Sequence, residues 1–170
     1  MVDAQQTNPV WSPFFQLIHA GLKELLKADR VTLFLLDREQ NILWSIISST
    51  LKAEGIQINI PADQGFAGEA ATSKQVIHLP YDCYDDPRAA MIQQTDQKTG
   101  YRTYTLLIVP LVNQNGDVIA VVNAINKLKP SAHLDSLLAE RVDLAGFTVS
   151  DQETIQAIAP IITPFLSSLN

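Results

Sequence analysis

The sequence predicts an α+β domain in which helices pack on a mainly antiparallel sheet. Three observations carry that prediction. Two strongly apolar runs, Thr105–Leu111 and Val118–Ile125, flank Asn115-Gly116, a pair suited to the positive φ values of a tight hairpin turn. Ile56, Ile58 and Ile60 alternate with polar residues, the period of a half-buried strand. Helical spacing of apolar residues brackets these strands at the two ends of the chain, an order that suits helices laid on a sheet. A chain of 170 residues is long enough for one such core.

The elements follow in order. Residues 1–12 form a loose segment, and a single domain spans 13–168. Ser12 can cap a helix and Pro13 suits the first helical position, where a proline loses no hydrogen bond. Phe14, Ile18, Leu22, Leu25 and Leu26 then mark one face of a helix running to about Lys27. Val31–Leu36 and Ile42–Ile47 read as paired strands across the polar turn 37–41, and a third strand ends at Pro61. Gly65–Thr72 is a glycine-flanked helix start, and Val76–Leu79 a short strand. Residues 80–103 form a long polar connection, which in a compact domain is functional or holds short helices. Residues 128–146 are a second irregular excursion, with a helical turn near Asp135–Arg141. The last helix starts near Ser150, where Ser150 and Glu153 have capping-box spacing, and Pro160 should kink or end it.

Composition narrows the function classes. The chain is 46 % hydrophobic and 18 % charged, the mix of a globular domain. A net charge of −6 argues against a nucleic-acid polymer as partner, which would need a basic stripe. With Cys83 as the only cysteine, no internal disulfide can form, and His19, His78 and His133 lie too far apart in the chain to suggest a metal cluster. No apolar run approaches a membrane span, and the polar start after Met1 has no signal-peptide pattern, which together favour a cytoplasmic protein. No Ser-His-Asp order, HExxH or phosphate-loop pattern is present, so the sequence offers no catalytic residues.

Several segments together resemble GAF domains. Ile60-Pro61-Ala62-Asp63-Gln64-Gly65-Phe66-Ala67-Gly68 is similar to the segment that opens the family's central helix. Thr99-Gly100-Tyr101-Arg102-Thr103, the strand Leu106–Leu111, the hairpin Asn113–Asp117 and the strand Val118–Val122 follow in the family's order. Asn126-Lys127, then Phe147 and Asp151, resemble the motif of cyclic-nucleotide-binding members: Asn-Lys, a variable stretch, Phe, three residues, Asp-Glu. Gln152 stands where that motif has its Glu. The resemblance is nearest to the regulatory GAF domains of cyclic-nucleotide phosphodiesterases and cyanobacterial adenylyl cyclases. It implies a GAF-like (profilin-like) central antiparallel sheet with helices on both sides.

The resemblance also implies a site. Phe66 and Ala67 lie where a helix start presents free N–H groups to an anion, although Gly65 and Gly68 could equally serve close packing alone. Asp96, Thr99 and Thr103 fall on the lid that closes over the ligand, so replacing Asp96 or Thr103 should weaken binding and leave the fold intact. As ordinary loop residues they could instead be caps and turns. Thr32 and Asn123 are polar positions in apolar strands, and a buried polar side chain needs a partner. That partner could be a ligand, a helix or backbone. Lys127 and Asp151 are implied to form a structural ion pair. Cys83 only loosely resembles the chromophore cysteines of bilin-binding members, and a lone cysteine more often packs as a small apolar residue.

The expected function is a regulatory sensor, not an enzyme, with cAMP or cGMP as its ligand and no covalent cofactor or metal. Family members commonly form homodimers through their terminal helices and signal to an output domain such as a cyclase, phosphodiesterase or kinase. The alternatives are a ligand-free dimerisation module, a bilin photosensor, or a free-methionine-sulfoxide reductase, which would need several cysteines.

Overall fold

The computed structural model describes residues 11–47 and 55–168. The segment expected to be loose lies mostly outside these residues, and Trp11 and Ser12 already belong to the first helix. Six antiparallel strands form one sheet in the order β3-β2-β1-β6-β5-β4: β1 (Ala28–Asp37), β2 (Ile42–Ile47), β3 (Ile56–Pro61), β4 (Ile77–Leu79), β5 (Leu106–Val112) and β6 (Val118–Lys127). The helices are α1 (Trp11–Leu26), α2 (Gly65–Ser73), α3 (Ala90–Thr99), the single turn α4 (Leu138–Arg141) and α5 (Val149–Ser167). The α+β class and the antiparallel sheet between helical layers are those the sequence predicts.

Strand alternation sorts the core into two layers. Leu33 and Leu35 of β1, Leu107 and Val109 of β5, and Ala120 and Val122 of β6 face α1 and α5, where they meet Phe15, Leu22, Leu26, Phe147 and Ile155. Phe34, Leu106, Ile108 and Val121 face the other way, toward Phe66, Ala67, Ala70 and Ala71 of α2. The small side chains of α2 let it lie close to the sheet. Gly68 is part of this fit, since a Cβ there would meet the Asp63 carbonyl carbon at 2.9 Å and the Ala62 oxygen at 3.0 Å.

Four local expectations are corrected. Leu25 is 61 % exposed; the buried face of α1 runs through Phe15, Leu22 and Leu26, whose spacings of seven and four keep them on one side, while Leu25 is turned about 100° from Leu26. At the β5–β6 hairpin only Gly116 takes a positive φ, and the Asn113 side chain accepts from the N–H groups of Asn115 and Asp117, which replaces the two-residue turn. The last helix is capped by Thr148, not Ser150: Thr148 Oγ1 accepts from the Asp151 N–H, and Asp151 accepts from the Thr148 N–H. Helix α5 also continues through Pro160 and Pro164 to Ser167, held by Ile155, Ile162 and Leu166 against the sheet. The long polar connection holds a 3-10 turn (Cys83–Asp85) and the ten-residue α3.

Candidate functional site

On the α2 face the sheet is not fully covered. Between α2 and α3 lies a cavity of about 300 Å³. Its floor is the sheet itself, with Phe34 of β1, Leu106 and Ile108 of β5, and Asn123 and Ile125 of β6. One wall is the end of β3 and the first turn of α2, Ile60–Pro61 and Gln64–Ala67. The other is α3 with the segment after it, including Met91, Thr95, Asp96, Thr99, Tyr101 and Thr103. The wall is predominantly apolar with a few polar groups, the usual make-up of a small-molecule site.

Four polar features face this space. Asn123 Oδ1 is buried without a hydrogen-bond partner, an arrangement that costs free energy unless something else supplies a donor. The first turn of α2 has no side-chain cap, so the N–H groups of Gly65, Phe66 and Ala67 stay open at the positive end of the helix dipole. Gly65 adopts φ +65°, a conformation that favours glycine. At the rim, Arg30 lays its guanidinium over the Tyr101 ring, 3.6 Å from the centroid, and makes no salt bridge among the described residues. Tyr101 in turn donates to Asp29 (2.7 Å) and accepts from the Asn126 amide (3.0 Å).

The structure brings Phe66, Ala67, Asp96, Thr99, Thr103 and Asn123 to this one cavity. Thr32 pairs with Asn123 across the β1–β6 ladder and shares its face, but lies between the longer Arg30 and Phe34 and does not form part of the wall. The lid residues are tied to each other. Asp96 is buried and accepts from the Thr103 N–H (2.7 Å), the Thr103 hydroxyl (3.0 Å) and the Tyr84 hydroxyl (2.8 Å). Burial and then the Asp96 contact push the Tyr84 hydroxyl up to about 12, so it stays a donor. Asp96 is therefore a clasp that fixes α3 to the strand entering β5. Its removal should loosen the lid of the unliganded fold as well as weaken binding. Thr99 donates within α3, to the Thr95 carbonyl at 2.9 Å.

Around the clasp, Arg102 is sandwiched between Tyr84 (3.5 Å) and Tyr104 (4.4 Å) and pairs with Asp82 at 2.6 Å. Asn126 has a positive φ and is fully buried; its side chain bonds the N–H groups of Tyr104 and Thr105, the Arg102 carbonyl and the Tyr101 hydroxyl. Next to it, Lys127 Nζ lies 2.8 Å from both Asp151 Oδ1 and the Leu26 carbonyl. Cys83 is fully buried and its thiol is pushed up to about 12 by burial, so it is neither exposed to the cavity nor a ready nucleophile.

Sequence reasoning missed Arg30, Tyr101 and Tyr84. Arg30 carried a signal: it stands two residues before Thr32 and so shares its face. Tyr84 and Tyr101 sit in irregular connections, where no periodicity announces a direction.

Comparison with known proteins gives the architecture its place. A profile of the GAF domain matches residues 12–162. The chain belongs to the GAF family. It is 33 % identical over 131 residues to a cGMP-specific 3',5'-cyclic phosphodiesterase of Drosophila ananassae, across 70 % of this chain and 11 % of that protein. It is 28 % identical over 145 residues to the dual 3',5'-cyclic-AMP and -GMP phosphodiesterase 11A of Takifugu rubripes, across 80 % of this chain and 14 % of that one. The chain thus spans only a small part of these relatives' lengths. Among solved structures, the GAF domain of the Acinetobacter phosphoenolpyruvate-protein phosphotransferase superposes with a TM-score of 0.63 at 13 % identity, covering 93 % of this chain and 82 % of that one.

Proposed function

We propose that this GAF domain is a regulatory sensor that binds a cyclic nucleotide, cAMP or cGMP, in the cavity between α2 and α3. The observation that carries the reading is the unpartnered Asn123 carbonyl in the otherwise apolar floor. A purine lying on Phe34, Ile108 and Ile125 would give it a donor, while the cyclic phosphate would meet the open N–H groups of Gly65, Phe66 and Ala67. Thr99 offers the ribose a hydroxyl from the lid, and Asp96 with Thr103 holds the lid in place. The phosphodiesterase relatives support the ligand class, and the open cavity favours it over a ligand-free dimerisation module.

The module acts by binding, not by catalysis, and works on a cytoplasmic signalling chain. Its output is a cyclase, phosphodiesterase or kinase domain reached through the terminal helices. Those helices lie side by side, with Phe14 and Phe165 rings 5.2 Å apart, and expose Leu17 and Ile161, a surface suited to a homodimer. Calorimetry of the purified chain with each nucleotide tests the proposal. A micromolar dissociation constant, about −8 kcal/mol, is expected. No heat and no thermal shift at millimolar concentrations of both nucleotides would remove it.

A further inference from the structure

Resting on that reading of the cavity, we infer that the pocket selects adenine over guanine, because Asn123 offers a carboxamide and the wall offers no free carboxylate beside it. An adenine edge sets one N–H donor next to one ring-nitrogen acceptor, on either its Watson–Crick or its Hoogsteen side. A carboxamide carries the complementary pair, one acceptor and one donor group. Asn123 makes no side-chain hydrogen bond among the described residues, and its Oδ1 is buried. One side chain therefore completes an adenine edge.

Guanine asks for more. Its Watson–Crick edge presents O6, N1–H and a further amino group at C2. The Asn123 amide, turned over, meets the first two and leaves the amino group to find an acceptor. Asp96 is the one carboxylate among the described wall residues, and its oxygens already take three hydrogen bonds from Thr103 and Tyr84. The wall's other side-chain acceptors include those of Gln64, Thr95 and Thr99, all exposed residues of α3 or the start of α2, whereas the floor around Asn123 is Phe34, Ile108 and Ile125. An amino group taken from water onto that apolar floor without an acceptor weakens binding. The rival is Arg30, whose donors suit the O6 and N7 acceptors of guanine; it stands opposite Ile125 in the β1–β6 ladder, but it is exposed and its guanidinium is stacked on Tyr101.

The test is calorimetry of the unmodified chain with cAMP, cGMP and cyclic IMP, which is cGMP without the C2 amino group. cAMP should bind at least about tenfold more tightly than cGMP, and cyclic IMP should bind more tightly than cGMP. Asn123→Asp, which presents acceptors only, should move the preference toward cGMP. Asn123→Ser, smaller and still polar, should reduce the preference, and thermal melts confirm that both variants fold. Equal or tighter binding of cGMP by the unmodified chain would overturn the inference and leave the sensor function standing. So would cyclic IMP binding no better than cGMP. Binding of none of the three would remove the proposed function and the selectivity together.

Discussion

The ammonium of Lys127 joins Asp151 to the carbonyl of Leu26, each at 2.8 Å, and so fastens the start of α5 and the end of α1 to the last residue of β6. Both side chains are mostly buried, at 16 % and 11 % exposure. Asp151 spends its second oxygen on the Thr148 cap.

Removing either partner leaves the other charge poorly solvated. Lys127→Ala should lower unfolding stability by about 3 kcal/mol, and Asp151→Ala by more because the cap goes with it. A double-mutant cycle in urea should give a coupling above about 1 kcal/mol. Coupling near zero would show that the two residues do not act as a pair.

Asp96→Ala strips three donors of their acceptor, and about 2–3 kcal/mol of stability should be lost. Tyr84→Phe removes one of the three bonds and should cost about 1 kcal/mol. Hydrogen exchange should show the loss at α3 and Thr103 first. If exchange there is unchanged in the Asp96 variant, the clasp does not hold the lid.

The physical reason for what the sequence disclosed lies in periodicity. β3 was readable to the residue because Ile56, Ile58 and Ile60 repeat against polar neighbours, and β2 because the apolar run Ile42–Ile47 follows the polar turn 37–41. The Asp96 clasp was not readable: its partners, Tyr84 and Thr103, come from two irregular segments, and only folding tells which turn faces inward. Likewise Thr148 was overlooked as the cap of α5 in favour of Ser150, because both spacings are plausible and the choice falls to Lys127, which fixes Asp151. Asn123 was legible as an anomaly, a polar residue in an apolar strand, whereas the emptiness in front of it was not.

His19 gives the fold a pH dependence. Its Nε2 accepts from the Leu33 N–H at 2.9 Å, which requires a neutral ring, and burial lowers its pKa from the ordinary 6.5. The unfolded chain therefore binds the proton more readily. Stability should fall as pH drops below about 6.5, with a slope of up to about 1.4 kcal/mol per pH unit, and level off once the folded-state value is passed. His19→Gln keeps an acceptor and does not titrate. Urea midpoints between pH 7.5 and 5 should flatten in that variant by comparison with the parent; parallel curves would assign the slope to other groups.

Gly146 packs against Pro80: a Cβ there would lie 2.5 Å from the Pro80 Cα, and its φ is +72°. Gly146→Ala should cost about 3 kcal/mol or more. Gly116, at φ +81° with open space around it, isolates the conformational part, and its alanine variant should cost about 1 kcal/mol. Similar melting temperatures for the two variants would mean that the 146 region moves aside freely.

Pro160 and Pro164 stand one helical turn apart on the exposed side of α5. Each lacks the N–H that would answer the carbonyl four residues earlier, so the oxygens of Gln156 and Pro160 turn to water along one edge of the helix. The pyrrolidine rings push that edge open while the opposite edge stays pressed on the sheet. Slack on the outside and packing on the inside give α5 a preferred plane of bending, toward the sheet. A force carried along this helix would be spent as flexure in that plane before it became rotation.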